Sequence, residues 1–139
     1  MTPAEAATAA RGVYDTSVFV AAESGRPIRF EQLPAEAVST VITLAELSAG
    51  VLAAPDTATR ARRLQTLTEF SALELLDVDA RAAEAWTRIR VHLYESGRRM
   101  NVNDVWIAAI ALANELPIVT QDDDFNALDT FPGISIIRV

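Results

Sequence analysis

The stretch that decides the fold is Gly12-Val13-Tyr14-Asp15-Thr16-Ser17-Val18-Phe19-Val20-Ala21-Ala22. Gly12 to Asp15 reads as a short buried strand. The hydroxyl-bearing residues that follow it favour a helix start, and the apolar run from Val18 continues that helix to the breakers Gly25 and Pro27. A strand passing straight into a helix is the first half of a parallel βα unit. Working outward, the same alternation recurs. Val38 to Val41 reads as a strand, followed by a helix over Thr43 to Leu52 closed by Pro55. Residues 57 to 71 read as an amphipathic helix, with Leu64, Leu67 and Phe70 inward and Arg60, Arg62 and Arg63 outward. Leu73 to Val78 predicts a third strand, and Asp79 to Glu95 a helix with Trp86, Ile89 and Leu93 on one core-facing stripe. Ser96-Gly97 breaks the chain, and Asn103 is expected to cap a helix from Asp104 to Asn114. Leu116 to Thr120 reads as a fourth strand, with Pro117 near its start, and Ile134 to Ile137 as a last, edge strand. Short apolar strands alternating with helices predict an α/β fold of three layers, a mostly parallel central sheet with helices on both faces.

The 139 residues suit one domain over 1–139, with 1–11 a loosely ordered, Ala-rich lead-in. Half the residues are hydrophobic and 22% are charged, as expected of a folded globular chain. Cysteine is absent, which excludes disulfides and thiolate metal sites. The N-terminus has no basic start with an apolar run, and no stretch is long enough to span a bilayer, so a soluble, cytoplasmic protein is expected. Net charge is −7, and all 12 basic residues are arginine. An acidic chain is a poor general polyanion binder, so any work on nucleic acid must use local arginines and metal ions.

Three acids stand alone in stretches that otherwise read as core. Asp15 is the only charge between Gly12 and Ala22, Glu46 between Ala37 and Pro55, and Asp104 between Met100 and Asn114. A carboxylate in apolar surroundings is costly unless paired, protonated or metal-bound. No i±3 or i±4 partner is available to these three, so their partners come from elsewhere in the fold or from a cation. In an open parallel sheet the carboxyl ends of the strands share one edge, where ligands bind. Asp15 ends the first strand and Asp122-Asp123-Asp124 follow the fourth, so they are expected to meet. Glu46, placed on the first turn of its helix, and Asp104, opening its own, are positioned to join them. Without lysine, such a cluster calls for a hard divalent ion, magnesium or manganese. Taken singly, Asp104 also suits a helix N-terminus through the macrodipole, Asp15 suits a turn, and the Asp122–Asp124 run suits a solvated loop. His92, a lone histidine on a core-facing helix, is given no role.

Four segments, in order, resemble the motifs of PIN-domain nucleases. These are Val13-Tyr14-Asp15-Thr16-Ser17, Ser39 to Gly50 with Glu46 at its centre, Asn103-Asp104-Val105-Trp106-Ile107-Ala108-Ala109, and Val119-Thr120-Gln121-Asp122-Asp123-Asp124-Phe125. The compact form looks like the VapC-type toxins of bacterial toxin–antitoxin pairs. The resemblance implies an endoribonuclease that cleaves RNA with Mg2+ or Mn2+, leaving a 5′-phosphate and a 3′-hydroxyl. It also implies a homodimer silenced by a cognate antitoxin. By position it implies an acidic quartet of Asp15, Glu46, Asp104 and Asp122, with Asp124 as an alternative or additional metal ligand and Thr16, Ser17 and Thr120 in support. Relatives often carry a longer spacer before the Phe, so either Asp122 or Asp124 fits the last position. In the mechanism expected, Asp15, Asp104 and one of Asp122 or Asp124 hold the metal. Glu46 orients the attacking water or contacts a second ion. Arg60, Arg62, Arg63, Arg98 and Arg99 are candidates for gripping the RNA backbone. Two rival readings fit the sequence less well. A non-catalytic partner-binding module has no need of all four acids. An Asp15-nucleophile phosphatase wants a second Asp where Ser17 stands, and a lysine.

Overall fold

The computed structural model describes residues 10–139. Nearly all of the expected lead-in lies outside the described residues, and Arg11 belongs to the first strand. Five strands form one sheet: β1 (Arg11–Tyr14), β2 (Glu36–Thr40), β3 (Glu74–Leu76), β4 (Ile118–Thr120) and β5 (Ile136–Arg138). Their spatial order is β3-β2-β1-β4-β5, and every pairing is parallel. Five helices connect them: α1 (Thr16–Ser24), α2 (Val41–Leu52), α3 (Thr57–Phe70), α4 (Ala80–Ser96) and α5 (Val102–Ala113). Among the described residues no helix is long and apolar enough to cross a membrane.

Period-2 alternation in the strands gives the sheet two apolar faces. In β1, Val13 joins the core built with α4 and α5, around Ile89, Leu93, Ile107 and Ile110. Its neighbour Tyr14 joins the opposite core, with Val18 of α1, Val119 and Ile137. In β4, Ile118 and Val119 divide in the same way. The three-layer α/β expectation therefore holds, each face of the sheet being closed by its own helices. On the α1 side, Phe19 meets Phe70 of α3 edge to face, ring centroids 5.0 Å apart. On the other side Trp86 stacks on Trp106, and His92 sits edge-on to Phe131 at 5.2 Å, away from the acids described below.

Several boundaries differ from expectation, each for a local reason. Helix α2 starts at Val41, because Thr40 is the cap and its hydroxyl accepts from the Thr43 amide. Val41 is thus helical, and Glu46 lies on the second turn of α2, not the first. Helix α5 starts at Val102 under an Asn101 cap, whose side chain accepts from the Asn103 amide; Asn103 is inside the helix. In α3 only Phe70 is fully buried, and Leu64 is half exposed. Arg63 instead turns in and donates to the Gly50 carbonyl at 2.7 Å.

Gly12 is where β1 must pass closest to its neighbours. A Cβ there would lie 2.8 Å from Val119 Cγ2 in β4 and 2.9 Å from the ring of Pro34 in the segment leading into β2. Gly12→Ala is therefore expected to destabilise the fold by about 1–3 kcal/mol, read as a lower urea midpoint at unchanged slope.

Candidate active site

Strand order decides where the acids meet. The chain runs outward one way through β1, β2 and β3, and the other way through β4 and β5, so the order reverses between β1 and β4. A parallel α/β sheet opens a crevice at that reversal, beyond the carboxyl ends of the two strands. Asp15 is the first residue after β1, and the Asp122–Asp124 run begins two residues after β4. Asp15 caps α1 by position but makes no side-chain cap bond. Its carboxylate is held sideways: Oδ1 accepts from Ser17 Oγ at 2.6 Å and Oδ2 from Thr120 Oγ1 at 2.8 Å. Each hydroxyl has one proton, spent on Asp15, so the 3.2 Å approach of Ser17 Oγ to Thr120 Oγ1 adds no further bond. Both hydroxyl oxygens also accept from the backbone, Ser17 from the Gln121 amide and Thr120 from the Asp122 amide, each at 2.9 Å. The first and fourth motifs are thereby tied into one unit around Asp15, which is only 2% exposed.

The other acids arrive from helices. Asp104 stands in the first turn of α5, half-buried. Glu46 projects from α2 and is held through one oxygen by the Thr16 hydroxyl at 2.7 Å. Asp124 opens a short 3-10 turn over Asp124–Leu128, anchored by the wholly buried Phe125 and Leu128. Carboxylate oxygens of Asp104, Asp122 and Asp124 all lie within 4.8 Å of one another.

Electrostatics mark the same place. Burial pushes the Asp15 carboxyl up to about 6, against the lowering pull of the Ser17 and Thr120 hydroxyls. Burial pushes Asp104 up to about 7, and four acids add to it: Asp15, Asp122, Asp124 and Glu46. Asp122 is raised by desolvation and by Asp124 and Asp123, with Arg138 and Arg26 pulling the other way. The four charges that act most strongly on Asp104 are all acidic. Such a cluster must take up protons or a cation, and its all-oxygen donor set fits a hard divalent ion such as Mg2+ or Mn2+.

The five acids expected to converge do lie together, with Thr16, Ser17 and Thr120 among them. The five nominated arginines are less uniform. Arg63 is engaged with Gly50, and Arg98 with the Asn126 carbonyl and the Asp129 carboxylate. Arg62 lines a separate cavity of about 410 Å³ beside Tyr14, Phe19 and Glu69. Among the described residues, no bond ties Arg60 or Arg99 to the acids. The residues that sequence reasoning passed over are Gln121, Arg26 and Arg138. Gln121 was inside the fourth motif, and Arg138 ends a strand at the carboxyl edge, which was the signal available.

Because Thr120 supplies one of the two hydroxyl bonds to Asp15, the near-isosteric Thr120→Val tests the unit directly. Activity or metal affinity should fall roughly 10–100-fold. The Asp15 carboxyl should rise further, so the acidic limb of the pH–rate profile moves to higher pH.

A reversed parallel sheet in three layers, with a carboxylate pocket at its switch point, defines the class: an α/β protein whose strand ends gather acidic side chains. The chain belongs to the PIN-domain family, on its VapC branch. The PIN domain family model matches residues 13–130. The chain is 54% identical over 132 residues to Ribonuclease VapC5 of Mycobacterium tuberculosis, covering 95% of this chain and 98% of that protein. It is 38% identical over 131 residues to Ribonuclease VapC4 of the same organism, covering 93% and 97%. Among solved structures it is similar to the crystal structure of VapBC-5, a member of the VapBC family of toxin–antitoxin systems from Mycobacterium tuberculosis. That likeness has a TM-score of 0.85 at 50% identity and covers 94% of this chain and 99% of that one. The structure of DNA-bound VapBC from Salmonella typhimurium matches at a TM-score of 0.75 and 28% identity, covering 92% and 97%.

Proposed function

We propose that this protein is the endoribonuclease toxin of a toxin–antitoxin pair, dependent on Mg2+ or Mn2+ and silenced by a cognate antitoxin. The observation that carries this reading is the convergence of Asp15, Glu46, Asp104, Asp122 and Asp124 at one sheet edge, in a chain more than half identical to a named VapC ribonuclease. Asp104, Asp122 and Asp124 would hold the ion, and Asp15, buried at the floor of the pocket, would complete the oxygen set. When bound, the ion lowers the proton affinity of water and offsets charge on the phosphate being cleaved. Glu46, fixed through one oxygen by Thr16, has its other oxygen to orient the attacking water in line with the scissile P–O bond. Ser17 and Thr120 keep Asp15 ionised and aimed. The products are a 5′-phosphate and a 3′-hydroxyl. The antitoxin is a protein that covers this edge, the active form is a homodimer, and the compartment is the cytoplasm.

The test is incubation of purified protein with total RNA in Mn2+ or Mg2+, in excess chelator, and with its cognate antitoxin. Cleavage with either ion, and silence in the other two conditions, is the expected result. Cutting that persists at full rate in chelator overturns the metal assignment. No cutting in either ion overturns the enzyme.

A further inference from the structure

The chain carries a net charge of −7, and its pocket is acidic, so RNA must be drawn to it by cations placed beside it. Gln121 determines which ones. Its side-chain amide donates to the Pro27 carbonyl at 2.8 Å and to the Val139 carbonyl at 3.1 Å, while its backbone amide donates to Ser17. One residue, immediately before Asp122, therefore fastens the exit of α1 and the end of β5 to the rim of the pocket. The residue before Pro27 is Arg26, and the residue before Val139 is Arg138. Both are exposed. Arg138 pairs with the Asp123 carboxylate, between Asp122 and Asp124. Both arginines lie near enough to Asp122 to act on it electrostatically.

We propose that Arg26 and Arg138 form a two-armed phosphate grip on the β4–β5 side of the pocket, held in place by Gln121, that binds the RNA backbone flanking the scissile bond. This rests on the ribonuclease reading above and names the part of that site that binds substrate. Guanidinium groups suit the role, since each offers a planar fork to phosphate oxygens and stays charged at any relevant pH. Asp123 has a part as well. It keeps Arg138 extended along the rim when no RNA is present, and a phosphate takes its place as the partner. Gln121 touches no substrate and is a positioning residue.

The experiment uses a fluorescein-labelled single-stranded RNA that the wild-type protein cuts in Mn2+. Initial rates are measured for wild type, Arg26→Gln, Arg138→Gln, the double variant, Arg138→Lys and Gln121→Ala. Binding of the same RNA is measured by anisotropy at several salt concentrations in the Asp104→Asn background. Each Arg→Gln change should raise KM roughly tenfold and leave kcat within about twofold. Each should also make the salt slope of binding shallower by about one unit. Arg138→Lys should restore the slope but not the full KM. Gln121→Ala should raise KM with the salt slope unchanged. An unchanged KM in the double variant overturns the proposal. A fall in kcat that tracks a lower thermal midpoint also overturns it, since that is the behaviour of a structural ion pair. Wild-type protein that neither binds nor cuts RNA sinks the ribonuclease reading, and this grip with it. Wild-type protein that cuts RNA with the variants indistinguishable from it sinks the grip alone.

Discussion

Asp104→Asn is expected to abolish RNA cleavage and at the same time to raise the thermal midpoint of the metal-free protein. The two effects share a cause. Asp104 is raised to about 7 by burial and by Asp15, Asp122, Asp124 and Glu46, all of which disfavour its charged form. In the absence of a cation, its negative charge opposes folding at neutral pH, and an uncharged amide of the same shape removes that opposition. In the proposed mechanism the same charge would help hold the ion. Losing one oxygen ligand from a set that supplies several kcal/mol of transition-state stabilisation costs about 4 kcal/mol, or roughly a thousandfold in rate. A residue kept for structure would move both readouts the other way, with lower stability and little change in rate. Circular dichroism melts in chelator, alongside single-turnover cleavage in Mn2+, separate the two. A variant that melts earlier than wild type while still cutting RNA would remove Asp104 from the site.

The second large effect is the response of stability to divalent ion and to pH. The sign follows from Asp15 at about 6 and Asp104 at about 7, against an ordinary carboxyl value of 3.8. Between about pH 4 and pH 7 the folded metal-free protein binds more protons than the unfolded chain, so its stability falls as pH rises through that window. Above pH 7 the penalty is complete, and below pH 4 it is gone. Metal-free protein should therefore melt higher at pH 5 than at pH 8. Added Mn2+ should reverse that order, because the ion and the protons compete for the same oxygens. At a free ion concentration one hundred times Kd, mass action contributes about 2.7 kcal/mol, a rise in midpoint on the order of 8 °C for a chain of this size. The rise should shrink towards pH 5. Melting curves that ignore Mn2+ at pH 8 would show that the acids do not share an ion.

The elements were legible because their signals are local. All five strands fall where short apolar runs predicted them, and Gly25 and Gly97 end α1 and α4 with positive φ, as terminal glycines do. The misses were also local, and came from competing signals. Asn101 and Asn103 are both good caps two residues apart, and Thr40 took the cap role inside what read as the end of a strand. In α3 the apolar spacing pointed Leu64 inward, but the helix meets its neighbours through Arg63, bonded to Gly50 of α2, and Phe70, packed on Phe19 of α1, and leaves Leu64 half in water. Periodicity gives a helix its apolar stripe and says nothing of how far along that stripe a neighbour reaches.

What the sequence determined by itself is the set of acids, since an unpaired Asp or Glu in an apolar run has a cost that is visible without coordinates. It also determined the alternation of strand and helix that makes a parallel sheet. What only the tertiary structure decided is which basic and polar groups serve those acids. Thr120 reaches Asp15 from more than a hundred residues away to join the local Ser17 bond, and Gln121 gathers Arg26 and Arg138, because β1 and β4 lie side by side at the reversal of strand order. Arginines on a surface are cheap anywhere in a sequence, so their types and spacing carry no address. Their address is set by which strands become neighbours, which is a property of long-range packing.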